Sequence, residues 1–186
     1  MTLKNNNVVA IIDYGSQYTQ LITRRVREHH VYSEIYPFDT DITSLKNSGV
    51  HGIILSGGPA SVYSDNAPGI NDDILSLGIP VLGICYGLHL LVKKYEGAIH
   101  STGSGEYGYA RLNEIGDSPL FRDVPQNTQV WMSHGDKVDS LSSEWNVIAE
   151  SSNNVMAAIQ HETQPLFGVQ FHPEVIHTTD GATIIS

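Results

Sequence analysis

The chain has 186 residues, of which 40% are hydrophobic and 16% are charged, so it can bury a sizeable core. Ten Lys and Arg residues against 20 Asp and Glu give a formal net charge of −10, which argues against a nucleic-acid or other polyanionic partner. A single cysteine excludes an internally disulfide-bonded secreted domain. The apolar run near the N-terminus is too short to span a membrane and no cleavage-site pattern follows it, so we expect a cytoplasmic protein.

The first half of the chain alternates between short apolar strands and helices. Strands are predicted at 8–12, 33–36, 51–55 and 80–84, and helices at 17–28, at 70–77 and after residue 85. Continuous apolar strands that alternate with helices are typical of a parallel sheet covered on both faces.

The second half of the chain changes to strands separated by turn signals. These strands are predicted at 107–115, 128–132, 147–150, 155–161 and 166–171. The glycine-rich segment 101–105 follows no predicted strand, and we expect it to be a mobile loop. The whole pattern predicts one α/β domain over residues 1–186. Its mostly parallel central sheet would carry helices on both faces and an antiparallel extension.

Cys85, the only cysteine, follows an apolar strand pattern at the point where a helical pattern begins. It stands between Gly83 and Gly87 in the segment Gly-Ile-Cys-Tyr-Gly. This pattern predicts a nucleophile elbow, in which a strand ends in a sharp turn and the reactive side chain lies at a helix N-terminus. A buried structural cysteine is the alternative, because free cysteines are among the most buried residues.

A reactive thiol needs a base, and His172 is distinguished among nine histidines by its neighbours. Pro173 restricts the preceding residue to an extended backbone, in which side chains two residues apart point the same way. His172 and Glu174 should then share a face, so that the carboxylate orients the imidazole. An ordinary strand-end histidine beside an exposed glutamate is the alternative.

Backbone N–H groups that stabilise an oxyanion are predicted at two positions. Gly58 follows a strand and has no Cβ to obstruct a ligand, and Tyr86 directly follows the cysteine. An ordinary strand-to-loop turn at 57–59 is the alternative. The sequence has no His-Glu-x-x-His or phosphate-binding glycine motif, so neither a metal site nor a bound nucleotide is expected in this chain.

Several ordered motifs together resemble the class I, triad-type glutamine amidotransferases. Gly-Ile-Cys-Tyr-Gly at 83–87 and Gln-Phe-His-Pro-Glu at 170–174 carry this resemblance. The motifs at 13–18, 54–63, 106–108 and 130–136 are similar to those of GMP synthase glutaminase domains in particular. The resemblance extends from about residue 8 to residue 182. It implies a three-layer, flavodoxin-like fold and hydrolysis of glutamine to glutamate and ammonia.

The resemblance also implies roles for individual residues. Cys85 would form a thioester with the substrate, His172 would carry the proton and Glu174 would hold the imidazole. Gly58 and Tyr86 would form the oxyanion hole through their N–H groups. The polar segment expected to hold the α-amino and α-carboxylate ends of glutamine consists of Ser133, His134, Gly135 and Asp136.

Position 89 departs from the family pattern. The family usually continues the elbow as Cys-x-Gly-x-Gln, with the glutamine contacting the substrate, and this chain has His89. A neutral imidazole offers one donor and one acceptor where a carboxamide offers two donors, so the substrate contact is expected to differ. A positively charged His89 near Cys85 would favour the thiolate.

The synthetase chemistry of a GMP synthase is expected outside this chain. No Ser-Gly-Gly-Val-Asp-Ser pyrophosphatase loop occurs in the 186 residues, so ATP, Mg²⁺ and XMP would bind to a partner, which is a separate synthetase subunit or domain. The expected function is to supply ammonia for the amination of XMP to GMP. The open alternatives are a glutaminase module for another acceptor, a hydrolase of γ-glutamyl or peptide substrates, and a non-catalytic regulatory homologue.

Overall fold

The computed structural model describes residues 7–186, apart from the side chains of residues 102–104 and 114. The strands are β1 (Val8–Asp13), β2 (Tyr32–Pro37), β3 (Val50–Leu55), β4 (Val81–Ile84), β5 (Ala98–Ile115), β6 (Gln129–Ser140), β7 (Trp145–Ser151), β8 (Met156–His161) and β9 (Leu166–Val169). The helices are α1 (Thr19–Glu28), α2 (Ile42–Asn47), α3 (Asp72–Leu75), α4 (Tyr86–Lys94) and α5 (Gly181–Ile185). In this part of the chain, no helix has the length and hydropathy needed to cross a membrane.

The strands form one nine-stranded mixed sheet in the order β2-β1-β3-β4-β9-β8-β7-β5-β6. The first five strands in this order pair in parallel, and every pairing from β9 onward is antiparallel. The predicted α/β fold, with a parallel sheet and an antiparallel extension, is therefore confirmed. The two halves of the sheet meet at β9, so residues that follow β9 lie beside both halves.

Helices cover both faces of the parallel part, as predicted. Ala10 packs into the same buried cluster as Leu88 of α4, and buried residues of α2 and α3 join that cluster. Ile11, the next residue of β1, packs into a second cluster with Ile22 of α1 and with a buried residue of α5. Successive side chains of a strand point to opposite faces, so β1 contributes to both cores.

Two segments that were expected to be loops are strands. The predicted mobile loop at 101–105 is wrong, because β5 continues through it and pairs with β6 on either side of a register shift. The polar segment from Ser133 to Asp136, expected to follow a strand, lies inside β6. Tyr107 pairs with Ser133 and Glu106 with His134 across the two strands. Non-local pairing overrides the weak strand propensity of Gly, Ser and Asp here.

The elbow at Cys85 has the backbone geometry that the sequence predicts. Cys85 lies between β4 and α4 with φ 52° and ψ −101°, in a region of positive φ that non-glycine residues seldom adopt. A Cβ on Gly83 would lie 2.5 Å from the backbone of Gly87, and one on Gly87 would lie 2.4 Å from the Leu55 carbonyl oxygen. Both glycines therefore let α4 begin directly against β3 and β4.

Candidate active site

A cleft of about 600 Å³ lies at the carboxyl ends of the parallel strands. Segments that follow β1, β3, β4 and β9 contribute to it, together with part of β5 and β6. Its walls contain Gly15, Ser16, Gln17, Tyr18, Gly58, Pro59, Ala60, Ser61, Cys85, Tyr86, His89, Tyr107, Ser133, His134, Gly135, Asp136 and His172. All predicted site residues except Glu174 thus line one cleft, and open α/β sheets commonly bind ligands at this edge.

Cys85 lies in this cleft with its side chain largely buried. Its sulfur lies 3.8 Å from the Ser133 carbonyl oxygen, to which the thiol can donate, and 3.9 Å from Nε2 of Gln170. The residue stands at the N-terminus of α4, where the helix dipole favours negative charge.

His172 and Glu174 form a buried pair beside the cysteine. His172 Nδ1 donates a hydrogen bond to Oε1 of Glu174 at 2.7 Å, and both side chains are almost fully buried. Burial lowers the pKa of His172, but hydrogen bonds to Cys85 and Glu174 and the charges of both partners outweigh burial and raise that pKa to about 10. The imidazole is therefore positively charged at neutral pH.

The contact between His172 and Glu174 is confirmed, but its expected backbone is not. Pro173 and Glu174 form a turn instead of an extended segment, and β9 ends at Val169 instead of continuing to residue 171. The turn brings the Glu174 carboxylate back to the imidazole. In the expected extended chain, the two side chains would instead have met because they point to the same face. Glu174 Oε2 is buried without a hydrogen-bond partner among the described residues, so the carboxylate bonds through one oxygen.

Three hydrogen bonds hold this turn in place. His172 N–H donates to the Trp131 carbonyl of β6 at 3.0 Å, and Thr178 Oγ1 donates to the His172 carbonyl at 2.6 Å. Arg25 of α1 donates to the Glu174 carbonyl at 2.9 Å. The fold thus brings the turn against α1.

The two residues predicted to supply the oxyanion donors line the same cleft as Cys85. The backbones of Gly58 and Tyr86 line the cleft with Cys85, and the Tyr86 N–H belongs to the first turn of α4, where N–H groups have no intrahelical partner. A Cβ on Gly58 would lie 2.7 Å from the Tyr14 carbonyl oxygen. A larger residue at position 58 would therefore displace the backbone at this wall of the cleft.

His89 is buried at the floor of the cleft, and its Nε2 lies 2.9 Å from Oε1 of Gln170. Burial lowers the pKa of His89, so the ring is neutral at neutral pH. The expectation that a positive His89 favours the thiolate is therefore wrong. Gln170 belongs to a motif that carries the family resemblance but was not predicted as a site residue, because a single buried glutamine gives no signal in a sequence.

The predicted substrate segment lies on the β6 wall of the cleft. His134 Nδ1 donates to the Asp136 carbonyl at 2.9 Å, and His134 Nε2 lies 3.4 Å from Oε2 of Glu106 on β5. Burial lowers the pKa of His134. Asp136 is the acidic residue of the cleft wall. The wall therefore offers one carboxylate and several neutral donors and acceptors.

The segment Gly15 to Tyr18 is a part of the cleft that the sequence did not assign to the site. The Tyr18 and His172 rings pack edge to face, with 5.2 Å between the ring centroids. This segment follows the carboxyl end of β1. Because ligands commonly bind at that edge of a parallel sheet, its place in the chain could have identified it as part of the site. Among the described residues, no cluster of three His, Cys, Asp or Glu side chains could hold a metal ion.

A comparison with models of known protein families identifies the family of this chain. The model of the family described as "Glutamine amidotransferase class-I" matches residues 10–186. The chain belongs to this family. Two relatives named GMP synthase (glutamine-hydrolyzing), from Thermosipho africanus and Thermomicrobium roseum, are each 49% identical to it over 96% and 95% of its length. The chain spans only 35% and 33% of these two relatives, so about a third of their length.

Solved structures show the same fold. A protein from Thermoplasma acidophilum described as a candidate GMP synthase component superposes with a TM-score of 0.79 at 28% identity, over 95% of this chain and 89% of its own. A glutamine amidotransferase from Thermotoga maritima, 21% identical, superposes with a TM-score of 0.73 over 92% of this chain and 77% of its own. Residues 7–186 of this chain therefore have the fold of these solved structures.

Proposed function

We propose that this amidotransferase hydrolyses the side-chain amide of glutamine. Cys85 is the nucleophile, His172 carries the proton and Glu174 orients the imidazole. The observation that carries the proposal is the single cysteine on a strained elbow, which lines the same cleft as a histidine that a buried carboxylate holds. A positively charged imidazole and a helix N-terminus both favour the thiolate of such a cysteine.

The proposed reaction proceeds through a thioester. The Cys85 thiolate attacks the amide carbon, and the carbonyl oxygen takes the negative charge. His172 gives its proton to the amide nitrogen, the carbon–nitrogen bond breaks and ammonia leaves. Neutral His172 then takes a proton from water, the resulting hydroxide attacks the thioester, and glutamate and the thiolate are released. The proton that His172 gives to ammonia in the first half is therefore replaced by a proton from water in the second.

Backbone and wall residues supply the remaining interactions. The N–H groups of Gly58 and Tyr86 stabilise the oxyanion in both halves of the reaction. Asp136 pairs with the α-ammonium group of glutamine. The other proposed substrate contacts come from the same cleft and are made by His89, Ser133, His134 and Gly135.

The ammonia released is proposed to serve the amination of XMP to GMP. The support is the 49% identity to the corresponding third of two proteins named as glutamine-hydrolysing GMP synthases. We propose that residues 1–186 act as one glutaminase domain in the cytoplasm and hold no cofactor. ATP and Mg²⁺ would bind to a synthetase subunit or domain outside residues 1–186.

Labelling of the cysteine tests the glutaminase proposal directly. A glutamine analogue with a chloromethyl ketone in place of the amide should add once to the protein, at Cys85, as read by mass spectrometry of its peptides. Glutamine should protect against labelling, and asparagine, which is one methylene shorter, should not. A label elsewhere, or equal protection by both amino acids, would contradict the proposal.

This chain has an exposed apolar surface beside the cleft to which the proposed synthetase partner could bind. Three large apolar side chains are strongly exposed there: Tyr107 is 71%, Tyr109 61% and Ile176 79% exposed. Tyr107 also lines the cleft, and Tyr109 contacts His177 in the segment that follows Glu174. We define these three residues as the rim patch. Clustered exposed apolar residues beside a site commonly mark a protein interface.

Mutation of the rim patch should separate coupling from hydrolysis. We expect Tyr109→Ser with Ile176→Ser to leave glutamine hydrolysis by the isolated chain unchanged but to weaken binding of the synthetase by roughly tenfold or more, because exposed aromatic and aliphatic anchors dominate interface energies. Calorimetric titration with the synthetase measures this. Tyr32→Ser is the matched control, because Tyr32 is 40% exposed on the distant edge strand β2. Equal effects of both changes would contradict the partner's position.

A further inference from the structure

Gln170 is an uncharged polar residue that is completely buried between the cysteine and a helix. It follows β9, and its backbone N–H donates to the Ala157 carbonyl at 2.9 Å. Its amide nitrogen lies 3.9 Å from the Cys85 sulfur, and its amide oxygen lies 2.9 Å from Nε2 of His89. Both ends of the carboxamide therefore have a partner, and one of these partners is the reacting sulfur atom.

The chemistry of the sulfur decides which way this carboxamide faces. A thiolate only accepts hydrogen bonds, so beside it Gln170 must present its NH₂ group to the sulfur and its carbonyl oxygen to His89. The carbonyl oxygen in turn requires a hydrogen on Nε2 of His89. Because burial keeps this ring neutral, its single hydrogen is then on Nε2. One arrangement of hydrogens satisfies all three groups.

We propose that Gln170 is a further catalytic residue, which donates a hydrogen bond to the Cys85 sulfur, and that His89 is a positioning residue that fixes the direction of the Gln170 carboxamide. This inference rests on the proposed glutaminase function and extends it. Without the donor at Nε2 of His89, the carboxamide is free to turn its carbonyl oxygen toward the sulfur. An acceptor facing a thiolate repels it, so the thiolate becomes less populated and less well oriented.

The residue at position 89 then has a role that the sequence did not indicate. Its contact with Gln170 uses Nε2, so only Nδ1 remains for the substrate. A glutamine at this position, as is usual in the family, also carries an NH₂ group that can donate to the Gln170 oxygen. His89 and Gln are therefore two solutions to one requirement, a hydrogen-bond donor of similar reach below Gln170. A leucine fills the same space without a donor.

Alkylation of the protein with iodoacetamide tests this inference independently of glutamine turnover. The chain contains one cysteine, so the alkylation rate reports Cys85 alone. At pH 7 we expect roughly tenfold slower alkylation in His89→Leu and in Gln170→Met, because hydrogen bonds to charged groups are among the stronger ones in proteins. His89→Gln should react at nearly the wild-type rate. The pH at which the rate is half-maximal should rise in the two slow variants.

Other titratable groups lie near Cys85, so the pH profile needs a second criterion. His134, Asp136 and His172 line the same cleft, and Glu174 hydrogen-bonds to His172. All four stay unchanged in each variant. Because His89 acts through Gln170, the double variant His89→Leu with Gln170→Met should react no more slowly than Gln170→Met alone. Thermal unfolding and near-ultraviolet circular dichroism identify any variant that has lost its fold.

The outcomes separate this inference from the proposed function. If His89→Leu reacts at the wild-type rate, or if the two single effects add in the double variant, the proposal that His89 acts on the sulfur through Gln170 is wrong. That result would leave the glutaminase proposal intact, because it concerns only the state of the thiol. If wild-type Cys85 labels with iodoacetamide but not with the glutamine analogue, the glutaminase proposal fails. The roles of Gln170 and His89 are then still decided by the alkylation rates of the variants.

Discussion

Replacing Cys85 with alanine is expected to reduce glutamine hydrolysis by at least about 10⁴-fold in kcat, because removal of a nucleophile leaves only the oxyanion donors and binding to act on the substrate. The measurement is release of glutamate and ammonia with the synthetase partner present, so that a site organised by docking is also detected. This is the largest effect that the proposed mechanism predicts for any single side chain.

The fold of the Cys85→Ala variant should survive, which makes the loss of activity interpretable. The side chain is small and lies beside an open cleft, so alanine leaves little buried space unfilled. We expect calorimetry to show that glutamine still binds to the variant, within about threefold of the wild-type Kd, since no proposed α-amino or α-carboxylate contact is changed. Glutamate release near the wild-type rate in a folded variant would refute the assignment of the nucleophile.

The second large effect concerns the base. We expect His172→Ala to lower kcat by roughly 10³ to 10⁴-fold, the size of a lost general acid–base contribution, and Glu174→Ala to lower it by roughly 10 to 10²-fold, the size of a lost orienting contact. Both carboxylate and imidazole are buried, and Arg25 binds the backbone of Glu174 instead of its side chain. The turn should therefore remain tethered to α1 in both variants. The reverse order of effects would show that the base is misassigned.

The Glu174→Gln variant separates orientation from charge. Its side-chain oxygen can still accept from Nδ1 of His172, but the negative charge is gone. That charge and the hydrogen bond both contribute to the raised pKa of His172, about 10 against 6.5, so the pKa should fall in the variant. The imidazolium is then lost at a lower pH as pH rises, and the alkaline limb of kcat/KM should move toward neutrality. An unchanged alkaline limb would mean that another group causes it.

The elements of the first half were predictable because each is encoded locally. Continuous apolar runs identify β1, β3 and β4, and the Gly-flanked thiol identifies the elbow, whose positive φ the structure gives as 52°. The short helices α2 and α5 gave no such signal. With six and five residues, each is held by a few contacts with the sheet instead of by a full amphipathic pattern.

The second half was less predictable because its strands are paired across long distances. Ser133 to Asp136 reads as a loop in sequence, but it pairs with β5 and forms a wall of the cleft. Likewise, the sequence predicted that His172 and Glu174 meet, through an extended segment, and the structure brings them together through a turn. The contact between two residues that are close in sequence was thus predicted correctly, although the backbone conformation between them was not.

The sequence by itself determined the order of the strands, the family and the three side chains proposed for the chemistry, because these are encoded in local patterns and short motifs. Only the tertiary structure decided that His89 is neutral and bonded to Gln170, that Arg25 holds the turn after His172, and that β5 and β6 complete the cleft. The physical reason is that burial and hydrogen-bond partners depend on which distant segments pack together. The charge of a side chain and the partner to which it points therefore follow from the fold and not from its neighbours in the chain.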